Sequence, residues 1–129
     1  MAYHTMLRFD YDEVHGQIAT ALLGRRDGAV GWRDVAVVIG DRAVMVRVDV
    51  DTDEIAVELE VAPDVDDGWQ AIPELSDYVG TELGWCWLGR NYRGYLDMFT
   101  LSFSGLEPQV CFVGEAAIVS IKRLLPAVS

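Results

Sequence analysis

Acidic residues in the middle of the chain are spaced as in a calcium-binding loop. Asp49, Asp51 and Asp53 alternate, and Glu60 follows at the position where an EF-hand places its bidentate glutamate. Glu54, however, stands where that loop needs glycine for its sharp turn. The flanking sequence alternates valine with other residues, which is typical of strands and not of helices. We therefore expect a strand–turn–strand rim of carboxylates and predict no metal site, with weak cation binding at the turn as the alternative.

The other residues that could do chemistry lack catalytic spacing. Neither of the two histidines, His4 and His15, lies at zinc-ligand spacing from Cys86 or Cys111. No serine lies in a Gly-x-Ser-x-Gly elbow, and the glycines match no phosphate-binding pattern. The pattern favours a non-enzymatic protein without a cofactor and leaves an enzyme as the alternative. The N-terminal residues lack a signal-peptide pattern, so we expect both cysteines to be buried thiols in a reducing cytoplasm.

An aromatic stretch, GWCWLGRNYRGYLDMFTLSF at residues 84–103, predicts the central β-hairpin of the fold. Trp85 and Trp87 fall on one face of its first strand, and Cys86 and Leu88 fall on the other, because successive side chains of a strand alternate. A polar loop with glycine at both ends joins the strands. In the second strand, alternation predicts one mostly aromatic row: Tyr95, Asp97, Phe99, Leu101 and Phe103.

The hairpin also supplies the candidate ligand-binding site. Its candidate residues are the aromatic, basic and polar side chains Trp85, Trp87, Arg90, Asn91, Arg93, Tyr95 and Asp97. Arginine and the large aromatic residues are enriched among the hot spots of interfaces. Asp97 interrupts an aromatic face, and a carboxylate there must be hydrogen-bonded or exposed. For Asp97 a structural role is favoured over binding: it would accept hydrogen bonds from the loop or pair with Arg90 or Arg93.

Three runs upstream of the hairpin predict an antiparallel meander. Trp32–Ile39, Arg42–Val50 and Glu54–Val61 are rich in β-branched residues, and the last two alternate strictly. Short turns join the three runs. We expect the meander to bury its valine face and to expose the opposite face, which carries Ala43 and Met45.

The segments before the meander are less regular. Tyr11–Leu23 has apolar residues at helical spacing but contains Gly16, which is unfavourable within a helix. We favour a strand over its second half and keep a helix as the alternative. Gly24–Gly28 is typical of a turn.

The remaining segments complete a mainly β fold. Ala62–Gly80 is a long connection with one helical turn expected near Pro73–Tyr78. Gln109–Val113 predicts a short strand, and Glu115–Leu125 a strand or a helix. The 129 residues are expected to form a single domain. We predict an antiparallel meander of about seven to eight strands that curls into a barrel-like or two-layer sheet, with minor helix.

The net charge of −11 comes from one part of the chain. Between Val48 and Gly89 there are twelve acidic residues and no basic one, whereas the rest has nine acidic against ten basic residues. Nucleic-acid binding is not expected, because phosphate contacts need clustered Lys and Arg, and no apolar run could span a bilayer. A basic protein partner is favoured, with a solvated acidic surface as the alternative. The predicted partner-binding residues are Asp49, Asp51, Asp53, Glu54, Asp64, Asp66 and Asp67.

Two strings of residues carry a resemblance to a known family. They are Trp85-x-Trp87-Leu88-x-x-Asn91-x-x-Gly94-Tyr95-x-Asp97 and, upstream, Asp51-x-Asp53-Glu54-Ile55. On these strings the chain resembles a family of small bacterial proteins of unknown function, which implies no catalytic residues. In size and acidity it is also similar to immunity proteins of bacterial toxin systems, which bind and neutralise a toxin domain.

Functions of different classes follow from these patterns. The first is a non-enzymatic cytoplasmic binding protein that holds a basic partner with its acidic segment, as an immunity protein would. The second is a β-barrel that binds a small ligand or substrate in a pocket lined by Trp85, Trp87, Tyr95 and Asp97. A third possibility is a homo-oligomer joined through its aromatic face.

Overall fold

The computed structural model describes residues 7–27 and 31–124, without the side chains of Asp27 and Asp66. This part of the chain contains nine strands and three short 3-10 helices. The strands are β1 (Ala21–Asp27), β2 (Gly31–Ile39), β3 (Arg42–Val48), β4 (Ile55–Val61), β5 (Trp69–Ala71), β6 (Leu83–Arg90), β7 (Leu96–Phe103), β8 (Val110–Glu115) and β9 (Ile118–Arg123). The 3-10 helices are Tyr11–Glu13, Val65–Asp67 and Pro73–Tyr78. The last of these is the helical turn that the sequence predicts.

The strands form one antiparallel sheet that curls into a half-barrel. Their order is β4-β3-β2-β9-β8-β7-β6, and β1 and β5 branch from β2. One edge of β2 pairs with β1, while the other pairs with β3 from Asp34 to Ile39 and with β9 at Trp32. The predicted mainly antiparallel, curled β fold is confirmed.

The larger of two apolar clusters lies inside the half-barrel. Val44 and Val46 from the meander are fully buried in it, as alternation predicts. Phe99 and Phe112 are direct cross-strand partners, and their rings stack with centroids 6.4 Å apart. Full burial of such a side chain contributes roughly 1.5–3 kcal/mol. The meander and the hairpin therefore share one core.

The outer face of the meander is not exposed to water as predicted. Ala43 is fully buried and Met45 is 3% exposed, in a second cluster that includes Trp69. The reason is that the long connection after β4 folds back and forms β5, which pairs with the free edge of β1. This pairing brings Trp69 to the outer face, where it covers part of β2 and β3.

The first segment differs in part from its prediction. The strand that is favoured over the second half of Tyr11–Leu23 forms only from Ala21, where β1 begins, and helix is limited to Tyr11–Glu13. The predicted turn Gly24–Gly28 is a strand as far as Asp27, and Gly28 lies outside the described residues. A side chain at Gly24 would place its Cβ 2.4 Å from the Trp32 ring. Glycine is needed at this position because a larger residue would clash with the Trp32 ring, and it does not mark a turn.

The hairpin forms as predicted, with one interruption. Trp85 and Trp87 share the outer face of β6, and Leu88 faces the core. The predicted row of β7 is broken at Asp97, since Gly89 pairs with Met98 while the next residue of β6 already pairs with Leu96. The extra residue is a β-bulge, and it shifts the alternation by one position. Leu96 therefore faces the core instead of Tyr95.

The C-terminal segment is a strand, one of its two predicted alternatives. Ile118–Arg123 forms β9, and residues from 125 onward lie outside the described part of the chain. His4 lies outside it as well.

Candidate functional site

The predicted partner-binding carboxylates form two groups, one on each side of β4 in the chain. The first group forms the β3–β4 turn: Asp49, Asp51, Asp53 and Glu54. The second group, Asp64 and Asp67, lies in the connection that leads to β5. Because Trp69 of β5 pairs with Arg25, this connection ends beside the C-terminal half of β1, next to the Arg25 side chain. The acidic segment is thus divided between the β3–β4 turn and the β5 side of the sheet.

The β3–β4 turn uses some of its carboxylates to fix its own structure. Asp53 accepts hydrogen bonds from the amides of Ala117, at 2.8 Å, and Ala116, at 3.2 Å, in the β8–β9 turn. Asp49 accepts a bond from the Asp51 amide at 2.8 Å. Among the described residues, no group of three His, Cys, Asp or Glu side chains is placed to hold a metal ion. The carboxylates at calcium-like spacing therefore stabilise the β3–β4 turn through hydrogen bonds.

The glutamates in the middle of β4 belong to an ion-pair network. Glu58 lies 3.3 Å from Arg8, and Glu60 accepts a 3.0 Å hydrogen bond from Arg47. That bond holds the pKa of Glu60 below its ordinary value. Arg47 also reaches Asp34 at 3.6 Å, and Asp34 is only 4% exposed. These carboxylates are engaged within the protein.

The opposite end of the sheet is rich in exposed carboxylates, and we call it the acidic end. It comprises Asp41, Glu74, Asp77, Glu82 and Glu107, all exposed. Backbone hydrogen bonds hold its connections together: the Ala62 amide donates to the Asp41 carbonyl at 2.9 Å, and the Ser104 amide to the Glu82 carbonyl at 2.7 Å. The Thr20 amide donates to the Val38 carbonyl at 2.8 Å and the Gly80 amide to the Ala19 carbonyl at 2.7 Å, which brings the connection before β6 beside the end of β2. Residues from separate loops therefore lie at one end of the sheet.

Few basic groups balance this end within the described part of the chain. Arg42 pairs with Glu13 at 3.5 Å, and the Arg123 guanidinium lies over the Tyr78 ring, 5.4 Å from its centroid. Both guanidinium groups are thus engaged with residues of the protein itself. The acidic end therefore has a local excess of negative charge.

Apolar side chains are exposed beside these carboxylates. A cleft of about 510 Å³ is lined by Ile18, Leu106, Trp85, His15 and Glu82, among others. Leu106 is 75% exposed and Trp85 is 56% exposed. The ring of His15 meets Trp85 edge-on, with centroids 6.1 Å apart. The acidic end thus combines charge with apolar area, as protein interfaces do.

The hairpin loop is held by its own asparagine. Asn91 Oδ1 accepts hydrogen bonds from the amides of Arg93, at 2.9 Å, and Tyr95, at 3.2 Å. Asp97 forms no ion pair with Arg90 or Arg93 in the described part of the chain, and its buried Oδ1 has no hydrogen bond. The predicted structural role of Asp97 in fixing the loop is therefore wrong, and Asn91 performs it.

The predicted ligand-binding residues do not meet in one pocket. Trp85 and Trp87 project from the outer face of β6, so neither lines the inside of the half-barrel. Trp85 lines the cleft at the acidic end, while Trp87 lines a separate groove of about 430 Å³. Arg90 lines a recess of about 290 Å³ next to the β3–β4 turn. The hairpin residues thus serve three different surfaces.

Both cysteines are free thiols. Burial raises the pKa of Cys86 to about 11 and raises that of Cys111 as well. The reactive form of cysteine is the thiolate, so both side chains are poor nucleophiles at neutral pH.

Two features escaped the sequence analysis. Asp34 is a buried carboxylate, and its signal was a lone acid inside the apolar run WRDVAVVI. The contribution of Asp41 and Glu107 to the acidic end had no local signal, because it depends on which turns the sheet places together.

Comparison with known proteins gives one match. The model described as "Family of unknown function (DUF6334)" matches residues 1–127. No curated protein and no solved structure matches the chain. Within the described residues, no helix is long and apolar enough to cross a membrane. The expected resemblance to an uncharacterised family is confirmed, and the chain belongs to DUF6334, a family of unknown function.

Proposed function

We propose that the chain is a protein-binding module that recognises a basic partner protein through its acidic end. The observation that carries the proposal is the gathering of exposed carboxylates from separate loops on one surface. Negative potential of this kind steers a positively charged partner and selects against acidic ones.

Exposed apolar side chains at the same end support the proposal. Leu106 and Trp85 are more than half exposed and flank the cleft. Tryptophan is one of the residue types that contribute most to binding energy when an interface buries them. Charge would guide the partner to this surface, and apolar burial would hold it there.

An immunity-like role is the specific form that we propose. The partner would then be a basic toxin domain, and binding would block its activity without chemistry by this chain. The free thiols of Cys86 and Cys111 suit the reducing cytoplasm, where such a complex would form.

Two matched triple variants test the proposal. The first, Glu74→Gln with Asp77→Asn and Glu82→Gln, neutralises part of the acidic end. The second, Asp49→Asn with Asp51→Asn and Glu54→Gln, removes the same charge at the β3–β4 turn. A basic protein captured from a lysate of the source organism at low salt is identified, purified and titrated against both variants.

We expect the acidic-end variant to bind the purified partner roughly tenfold more weakly, because exposed charge pairs contribute modestly each. The turn variant should bind like the wild type. Binding should also weaken as salt screens the charges over about 8–10 Å. Equal loss in both variants, loss in the turn variant alone, or no captured protein would contradict the proposal.

A further inference from the structure

The strand β6 ends the sheet, and some main-chain groups on its outer edge have no partner among the described residues. In an antiparallel ladder, consecutive residues turn their N–H and C=O groups to alternate edges. The Leu101 carbonyl accepts a hydrogen bond from an amide on the β8 side. The N–H and C=O groups of Thr100 therefore point toward β6, and those of its partner Trp87 point toward β7. The peptide groups of Cys86 and Leu88 consequently point away from β7, toward the open edge.

Within residues 7–27 and 31–124, the hydrogen bonds to this edge are confined to its first residues. The Gly16 amide donates to the Leu83 carbonyl, and the Leu83 amide donates to the Gln17 carbonyl, both at 2.8 Å. The Tyr11 hydroxyl donates to the Gly84 carbonyl at 2.9 Å. Beyond Gly84, no described residue bonds to the outer edge of β6. The cover thus stops where the unpaired groups begin.

A groove follows the uncovered part of the edge. It measures about 430 Å³ and lies between the segment of residues 7–12 and the residues Cys86, Trp87 and Leu88. Three strand residues give it a length of about 10 Å at roughly 3.3 Å per residue. The groove is therefore open to a chain that runs alongside β6.

The sequence of β6 does not protect this edge. Exposed edges are usually guarded by charged residues or proline, which prevent another strand from pairing. From Leu83 to Gly89 the chain has neither. An unguarded edge beside a groove is the arrangement that binds an extended peptide by strand addition.

Charge defines the chemistry of the occupant. Asp10 and Asp12 line the groove, and no described basic residue does. Trp87, which is 38% exposed, offers a ring face that can attract a cation. A second copy of this chain is disfavoured, because pairing two β6 edges would bring Asp10 and Asp12 against an identical acidic pair.

We infer that the free edge of β6 binds an extended, lysine- or arginine-containing segment of a protein as an added strand. The inference rests on the proposed function and specifies a mode of contact for the basic partner. Main-chain hydrogen bonds to Cys86 and Leu88 hold the segment. Its basic side chains lie against Asp10, Asp12 and Trp87.

Amide hydrogen exchange with a peptide probe tests this inference. The probe is a short peptide of alternating lysine and valine, added to the full chain. Exchange at the amides of Cys86 and Leu88 should slow roughly tenfold when the probe is bound, because they become hydrogen-bonded. Exchange at Trp87, which already faces β7, should not change. The same peptide with N-methyl groups on alternate amides, or with glutamate for lysine, should not bind.

Two aromatic variants test whether the groove holds the probe. Trp87→Ala should weaken probe binding roughly tenfold, as loss of an aromatic anchor does. Tyr92→Ala, at an aromatic side chain that is 92% exposed in the hairpin loop and outside the groove, should leave binding unchanged. Unchanged exchange at Cys86 and Leu88, equal binding of the methylated peptide, or no binding at millimolar probe would overturn the inference.

The outcomes also separate this inference from the proposed function. If the purified partner binds in a way that depends on the acidic end but leaves Cys86 and Leu88 exchange unaltered, strand addition fails and the binding function stands. If the probe binds as expected but no basic partner depends on Glu74, Asp77 and Glu82, the proposed function of the acidic end fails instead.

Discussion

Replacement of Asp34 by asparagine should lower the free energy of unfolding by about 2–3 kcal/mol. The carboxylate is 4% exposed and accepts hydrogen bonds from Arg25 Nε at 2.9 Å and Nη2 at 2.6 Å. Arg47 Nε lies 3.6 Å from the other carboxylate oxygen, Asp34 Oδ1. Asparagine keeps the shape of the side chain but removes the charge that these guanidinium groups share.

The magnitude follows from how buried the partners are. Removal of one member of a fully buried ion pair costs about 3–5 kcal/mol. The side chains of Arg25 and Arg47 are 35% and 33% exposed, so water can solvate them when the negative charge is lost. A hydrogen bond to a charged group contributes about 1.5–3 kcal/mol, and the expected loss lies within this range.

Urea unfolding followed by tryptophan fluorescence measures the effect. With a urea dependence of roughly 1–3 kcal/mol per molar, the midpoint should fall by about 0.7–3 M while the slope stays unchanged. Asp41→Asn is the matched control, since Asp41 is exposed on the neighbouring turn, and it should shift stability by less than about 0.5 kcal/mol. Coincident midpoints for the two variants would refute the reasoning.

Three further predictions concern acid stability, thiol reactivity and close packing. The hydrogen bond from Arg47 lowers the pKa of Glu60 in the folded protein. Ionised Glu60 therefore contributes stability that is fully present above its ordinary pKa of 4.5 and is lost as the pH falls through the lower pKa of the folded state. Glu60→Gln should lack this acid-side loss in denaturant titrations, and identical pH profiles would disprove it. Because burial raises the pKa of Cys86 to about 11, its alkylation by iodoacetamide should keep rising above pH 9, and a plateau near pH 9 would count against it. Gly114→Ala should destabilise by about 1–3 kcal/mol, since its Cβ would lie 2.1 Å from a backbone oxygen of the β3–β4 turn. Gly105→Ala, whose Cβ meets nothing within 4 Å, should be near neutral in the same unfolding assay.

Local alternation is why much of the fold could be predicted from the sequence. Val44 and Val46 lie two residues apart in an alternating run, and both are fully buried on the inner face. The faces of β6 followed from the same rule, with Leu88 inward and Trp87 outward. The alternation of side chains between the two faces depends only on the strand itself, so it can be predicted without knowing the partner strand.

Features that depend on distant pairing could not be predicted in this way. The bulge at Asp97 arises from the register between β6 and β7, and it reverses the faces of Tyr95 and Leu96. The burial of Met45 requires β5 to pair with β1, across more than forty residues of sequence. Neither event leaves a mark in the alternation of the strand that it changes.

The candidate site was predictable in its charge and not in its position. The excess of acids between Val48 and Gly89 is visible in the sequence. The pairing of β5 with β1 then separates Asp67 from the β3–β4 turn that holds Asp49, while the loops place Asp41 and Glu107 at the same end of the sheet as Glu82. Composition thus predicts an acidic surface, and topology determines where it lies.

The most direct test of the central claim is a hydrogen-exchange footprint of the chain in complex with its purified basic partner. Binding at the acidic end predicts slower exchange in residues 73–82 and 104–107, with no change in the turn at residues 49–54. Protection of that turn, with residues 73–82 exchanging as in the free protein, would contradict the claim.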